Sequence, residues 1–117
     1  MNKTKLDLSI FTMEFGKMKV STDKHFQKVY EEFNELNNAN NDYAYDKIET
    51  DIHPAEKAED RKKLCDEALD MIQASISFTS HLIEEHILTD EDIEAWKKKL
   101  EQRKEKYINQ GGLNEKS

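Results

Sequence analysis

The chain has 117 residues, a formal charge of −7 and one cysteine, which fit a single domain and exclude an internal disulfide. So acidic a chain is poorly suited to wrapping a phosphate backbone, so no nucleic-acid partner is expected. Three Gly and one Pro among 37% charged residues favour long helices, and no apolar run reaches a signal-peptide core or a membrane span, so a cytoplasmic protein without a membrane partner is expected.

Residues 1–22 read as an N-terminal arm or short helix. Leu6, Leu8 and Ile10 alternate like a strand, whereas Phe11, Phe15 and Met18 have helical spacing and Gly16 interrupts them. A helical domain over 23–110 follows. Its first helix spans about Asp23 to Asn38, with Ser21, Thr22 and Asp23 as candidate N-caps. Phe26, Val29, Tyr30, Phe33 and Leu36 form its apolar stripe. The run Asn37–Asp42 is expected to end it, because these side chains compete for backbone hydrogen bonds. A long connection to Pro54 would then carry Tyr43 and Tyr45.

The second helix spans about Ala55 to His86, with Pro54 at its start. From Met71 to Ile83 it has no charged residue, so it is expected to be covered nearly all round. Cys65 reads as a small core residue. A third helix follows the N-cap Thr89, with acids in its first turn and an apolar stripe of Ile93, Trp96, Leu100 and Tyr107. Gly111 and Gly112 are expected to close it, leaving 111–117 as a frayed tail. No sustained heptad pattern is visible. The fold class is all-α, a bundle of three main helices. Three helices cannot surround the second, so oligomerisation, as a homodimer or homotetramer, is expected to complete the core.

Two carboxylate pairs carry the chemistry: Glu32 with Glu35, and Glu67 with Asp70. Each is spaced i, i+3, which puts both groups on one side of a helix. Oxygen-only sets of this kind suit hard cations, magnesium first. Spacing alone does not single them out, because about three Glu-x-x-Glu/Asp pairs arise by chance at this composition. Context does. Glu67 and Asp70 lead onto a side that carries Ala74, Ser77 and His81, and carboxylates entering a covered face need a partner or a metal.

The stretches Val29–Leu36 (VYEEFNEL) and Asp66–Ile72 (DEALDMI) resemble the two signature helices of the MazG-like all-α NTP pyrophosphatase superfamily. The resemblance covers about residues 24–108. It implies that Glu32, Glu35, Glu67 and Asp70 hold two or more magnesium ions, with manganese as a substitute. It further implies hydrolysis of an NTP or dNTP between the α and β phosphates to a monophosphate and pyrophosphate, with Glu35 as either a ligand or the base that orients water. Two features depart from the family: a longer segment between the pairs, and no Lys-x-x-x-Asn phosphate motif after the second. Lys99, Arg103 and Tyr107, four apart on the third helix, are substitute candidates for the phosphates, and Tyr43 and Tyr45 are the candidate base contacts, with Trp96 a third that reads more as core.

The alternative is a non-catalytic helical interaction module that oligomerises. A di-iron bundle is set aside, since none of His25, His53, His81 or His86 has a Glu three residues earlier. Zinc hydrolysis is set aside because no two histidines are spaced i, i+4.

Overall fold

The computed structural model describes residues 4–11 and 20–114, with side chains 111–114 left aside. The expected helical spacing of Phe15 and Met18 lies outside the described residues. A 3-10 turn at Leu8–Phe11 is started by Asp7, whose carboxylate accepts from the Ser9 backbone N–H at 3.0 Å and the Ser9 hydroxyl at 2.8 Å. Three α-helices follow: α1 (Thr22–Ile48), α2 (Pro54–Glu84) and α3 (Asp90–Asn114). No strand occurs among the described residues. The chain divides into two compact units, Met1–Leu82 and Ile83–Ser117.

The helix starts follow from local chemistry. Ser21 caps α1, its hydroxyl accepting from the Lys24 N–H at 3.2 Å. Pro54 opens α2, with His53 Nδ1 accepting from the Ala55 N–H at 3.0 Å. Thr89 caps α3 and is bound in return by Asp92, which accepts from both the Thr89 N–H and hydroxyl at 2.9 Å. Beyond α2, His86 takes φ 58°, a left-handed conformation that His adopts more readily than most residues, and its N–H bonds the Ile83 carbonyl.

The first helix is longer than its sequence suggests. It continues through the Asn run to Ile48, and Tyr43 and Tyr45 are on a helix, not a loop. Every seventh position explains why. His25, Glu32, Ala39 and Asp46 are all buried, so the Asn-rich turn is anchored by Ala39 and Asp46 while most asparagines face water. Tertiary anchoring overrides weak propensity here. Similarly, α3 runs past Gly111 and Gly112 to Asn114.

Within the first unit, α1 and α2 form an antiparallel hairpin. Thr22 and His25 meet His81, Phe26 meets Phe78, Glu35 meets Glu67 and Asp46 meets Asp60, so partners run in opposite chain order. The seam is a heptad on both helices. On α1 the buried ridge alternates with half-buried Thr22, Val29, Leu36 and Tyr43. On α2 the matching positions are Asp60, Glu67, Ala74 and His81, alternating with Lys57, Leu64, Met71 and Phe78. Steps of three and four residues define a coiled-coil seam. Half of it is polar or small, so hydrophobic periodicity does not reveal it.

The expected apolar stripes lie elsewhere. Phe26, Tyr30 and Phe33 are 57%, 61% and 52% exposed, and the buried hydrophobic residues are Ala39 and Ala74. The charge-free part of α2 is half-buried at most positions rather than covered all round. Cys65 is exposed, because it falls between the seam positions 64 and 67, and Arg61 Nη1 lies 3.9 Å from its sulfur. Trp96 in α3 is likewise exposed rather than core.

Candidate metal centre

The seam brings acids together in its middle. Glu32 is 5% exposed on the α1 ridge, Glu67 sits half-buried on the α2 ridge, and Glu35 flanks them one turn further along α1. One oxygen from each lies within 4.8 Å of the others. Magnesium takes oxygens at about 2.0–2.1 Å, so opposed ligands stand roughly 4.2 Å apart.

The electrostatics describe a set in which the acids outweigh the ion pair that Lys28 makes with Glu32. Burial pushes the Glu67 carboxyl up from its ordinary value, followed by a hydrogen bond with Glu35 and then the charges of Glu35, Asp70 and Glu32. Glu32 Oε2 and Glu67 Oε2 are both buried without a hydrogen-bond partner. Orphaned carboxylate oxygens of this kind are costly unless a cation or proton meets them. All donors are hard oxygens, so the residues fit magnesium or manganese and fit softer ions poorly.

Asp70 stands beside this trio. It is exposed, adds its charge to Glu67, and shares with Glu32 the lining of a cavity of about 450 Å³. The cavity exists because α2 presents Ala74 and Ser77 where longer side chains would fill it. Its other wall carries the ammonium groups of Lys24 and Lys28, with the His25 ring, from the first two turns of α1. Lys28 Nζ lies 2.8 Å from Glu32 Oε1.

All four sequence-derived carboxylates thus lie on one hairpin. The side carrying Ala74, Ser77 and His81 is covered as expected, with Ala74 and His81 buried. His81 Nε2 lies 2.7 Å from the Thr22 hydroxyl and its ring centroid 4.7 Å from that of His25. The substrate candidates are not brought to this site within the first unit. Tyr43 is half-buried on α1 with Lys47 Nζ 4.6 Å above its ring. Lys99, Arg103 and Tyr107 are exposed on α3, in the other unit.

Sequence reasoning missed Lys24, His25 and Lys28, and also a second acidic contact, Asp46 with Asp60, at the loop end of the hairpin. The signal for both was the seven-residue recurrence 25, 32, 39, 46 and 60, 67, 74, 81.

No protein-family model, no curated protein and no solved structure matches this chain. Among the described residues, no helix is long and apolar enough to cross a membrane.

Proposed function

We propose that this protein is a magnesium-dependent nucleoside triphosphate pyrophosphohydrolase of MazG-like type, splitting NTP or dNTP into a monophosphate and pyrophosphate. The observation that carries the reading is the trio Glu32, Glu35 and Glu67, with two buried orphan oxygens, whose Glu32 lines together with Asp70 a cavity with a basic far wall. Glu32, Glu35, Glu67 and Asp70 would hold the ions. Bound there, magnesium supplies the positive charge that draws an anionic triphosphate into an acidic cleft and offsets charge on the departing pyrophosphate.

The residues divide the remaining work. Glu32 and Glu67 are fixed by the seam, so their oxygens are held in place before substrate arrives. Glu35 is exposed, which puts its carboxylate within reach of water. Water attacks the α phosphorus, the bond to the bridging oxygen breaks, pyrophosphate leaves with that oxygen, and Glu35 accepts the proton lost by water. Asp70, at the cavity edge, would share in holding the ions on the side where the phosphates enter.

The exposed Phe26, Tyr30 and Phe33 support assembly as a homodimer or homotetramer, since apolar faces of this kind mark contact surfaces. A cytoplasmic setting follows from the lone cysteine and the nucleotide substrate. The same exposed face also supports the second reading, a non-catalytic interaction module.

The test is pyrophosphate release from a panel of NTPs and dNTPs, with magnesium or EDTA, on wild type and E67Q. Magnesium-dependent release that disappears in E67Q is expected. A folded, oligomeric protein that releases pyrophosphate from none of them would leave the interaction module in its place.

A further inference from the structure

We propose that Lys28 is the site's internal counter-ion, holding Glu32 when no cation is bound and turning to the polyphosphate when one is. This rests on the pyrophosphohydrolase reading and names the phosphate-binding side of the same site. The Lys28 ammonium is 2.8 Å from Glu32 Oε1, with side-chain exposures of 61% and 7%. A mostly exposed lysine therefore reaches inward to a sealed carboxylate. Its ion pair is with the most buried glutamate of the cluster.

Helix stabilisation accounts for only a small part of the pair. In a helix, Glu placed N-terminal to Lys at i, i+4 is the favourable order, and here the order is reversed. What the position gives Lys28 is access to both parties. It lines the cavity together with Glu32 and Asp70, and with Lys24 one turn earlier. A cation meeting the orphaned Glu32 Oε2 would neutralise the same carboxylate that holds the ammonium on Oε1 and repel that ammonium, so the ion pair would loosen. The freed ammonium stays on a flexible four-carbon stem at the cavity wall, beside Lys24, where phosphate oxygens carry the compensating charge. At about 450 Å³ the cavity falls in the ordinary range for small-molecule sites. Metal and nucleotide binding are then coupled: the metal competes with Lys28 for the charge of Glu32, and the nucleotide gives Lys28 a new partner.

The experiment measures manganese affinity by electron paramagnetic resonance without nucleotide, and KM for the preferred nucleotide with manganese, on wild type, K28M, K28R and K62M. Methionine keeps the stem and removes the charge. K62M is the matched control, because Lys62 and Asp66 form the same i, i+4 pair at 3.5 Å on the exposed surface. K28M should bind manganese about two- to fivefold more tightly, the range of a screened ion pair. It should also raise KM about tenfold, as for loss of a charge-assisted contact, with kcat little changed. K28R should restore KM, and K62M should move neither quantity. Manganese affinity unchanged or weakened in K28M, or KM unmoved, overturns the proposal, and each result does so alone. A wild type that turns over nucleotide while K28M leaves KM unmoved sinks this proposal and spares the pyrophosphohydrolase reading. A wild type that binds no nucleotide sinks both.

Discussion

Two buried carboxylate clusters sit on one seam, about two turns apart along α2, and they differ in what surrounds them. At the loop end, Asp46 meets Asp60, with Glu56 and Lys57 near by. In the middle, Glu67 meets Glu35, with Glu32 and Asp70 near by. Both have a carboxyl pushed up by burial first and by a neighbouring acid second. Both leave a buried oxygen without a partner. Only the central cluster, among the described residues, assembles three ligand oxygens, and it alone borders the cavity with the basic wall. A raised carboxyl is therefore not in itself the mark of a site. Oxygen number and room for a ligand separate a cation centre from a pair of acids that a shared proton satisfies.

The largest expected contrast is in turnover. E67Q should lower magnesium-dependent pyrophosphate release by about 100-fold or more, since even residues behind the ligands of metal sites cost 10–100-fold. D46N should leave release unaltered. Equal losses in the two variants would erase the distinction. A calorimetric version needs no substrate. Magnesium at about 100 times its Kd should stabilise wild type and D46N by about 2.7 kcal/mol. It should leave E67Q with little or no gain.

A variant between the clusters tests whether one seam supports both. Ala39 is 1% exposed and lies seven residues from both Glu32 and Asp46. The hairpin register sets it against Glu67, just as Ala74 lies against Glu32, so each glutamate has a small residue opposite it. A39L should cost about 1–3 kcal/mol by overpacking. That lowers Tm by roughly 4–8 °C per kcal/mol for a domain of this size. A39L with unchanged Tm would mean that the helices do not meet at this register.

The sequence made some of this legible and concealed the rest for a physical reason. Ser21, Pro54 and Thr89 announced three helix starts, because capping is local chemistry. The side running from Glu67 and Asp70 through Ala74, Ser77 and His81 was readable because charge is absent just beyond it. The extension of α1 to Ile48 was not readable, since its anchors Ala39, Tyr43 and Asp46 lie within an otherwise polar stretch. Hydrophobic periodicity ranks Phe26, Tyr30 and Phe33 above His25, Glu32 and Ala39, and the hairpin buries the second set. The basic wall of the cavity shared this fate, because Lys24 and Lys28 read as solvated charges until the seam placed Glu32 beside them.

The smallest expected effect separates the clusters by pH. Asp46 is raised from its ordinary 3.8, so the folded chain holds that proton more tightly than the unfolded chain does. Its contribution to stability is fully present below the unfolded value and is lost as pH rises through the raised folded value. Glu67, raised from 4.5, adds a second term of the same sign. Wild type should therefore lose stability between mildly acidic and neutral pH. D46N should remove the first term, raising Tm at neutral pH and flattening part of the slope. An asparagine amide can donate to the Asp60 carboxylate, so it replaces the shared proton without titrating. Magnesium should remove the second term by favouring ionised Glu67, and D46N with magnesium should be nearly flat over this range. If magnesium alone flattened the whole slope, the loop-end pair would also be taking up the cation, and the distinction between the two clusters would fail.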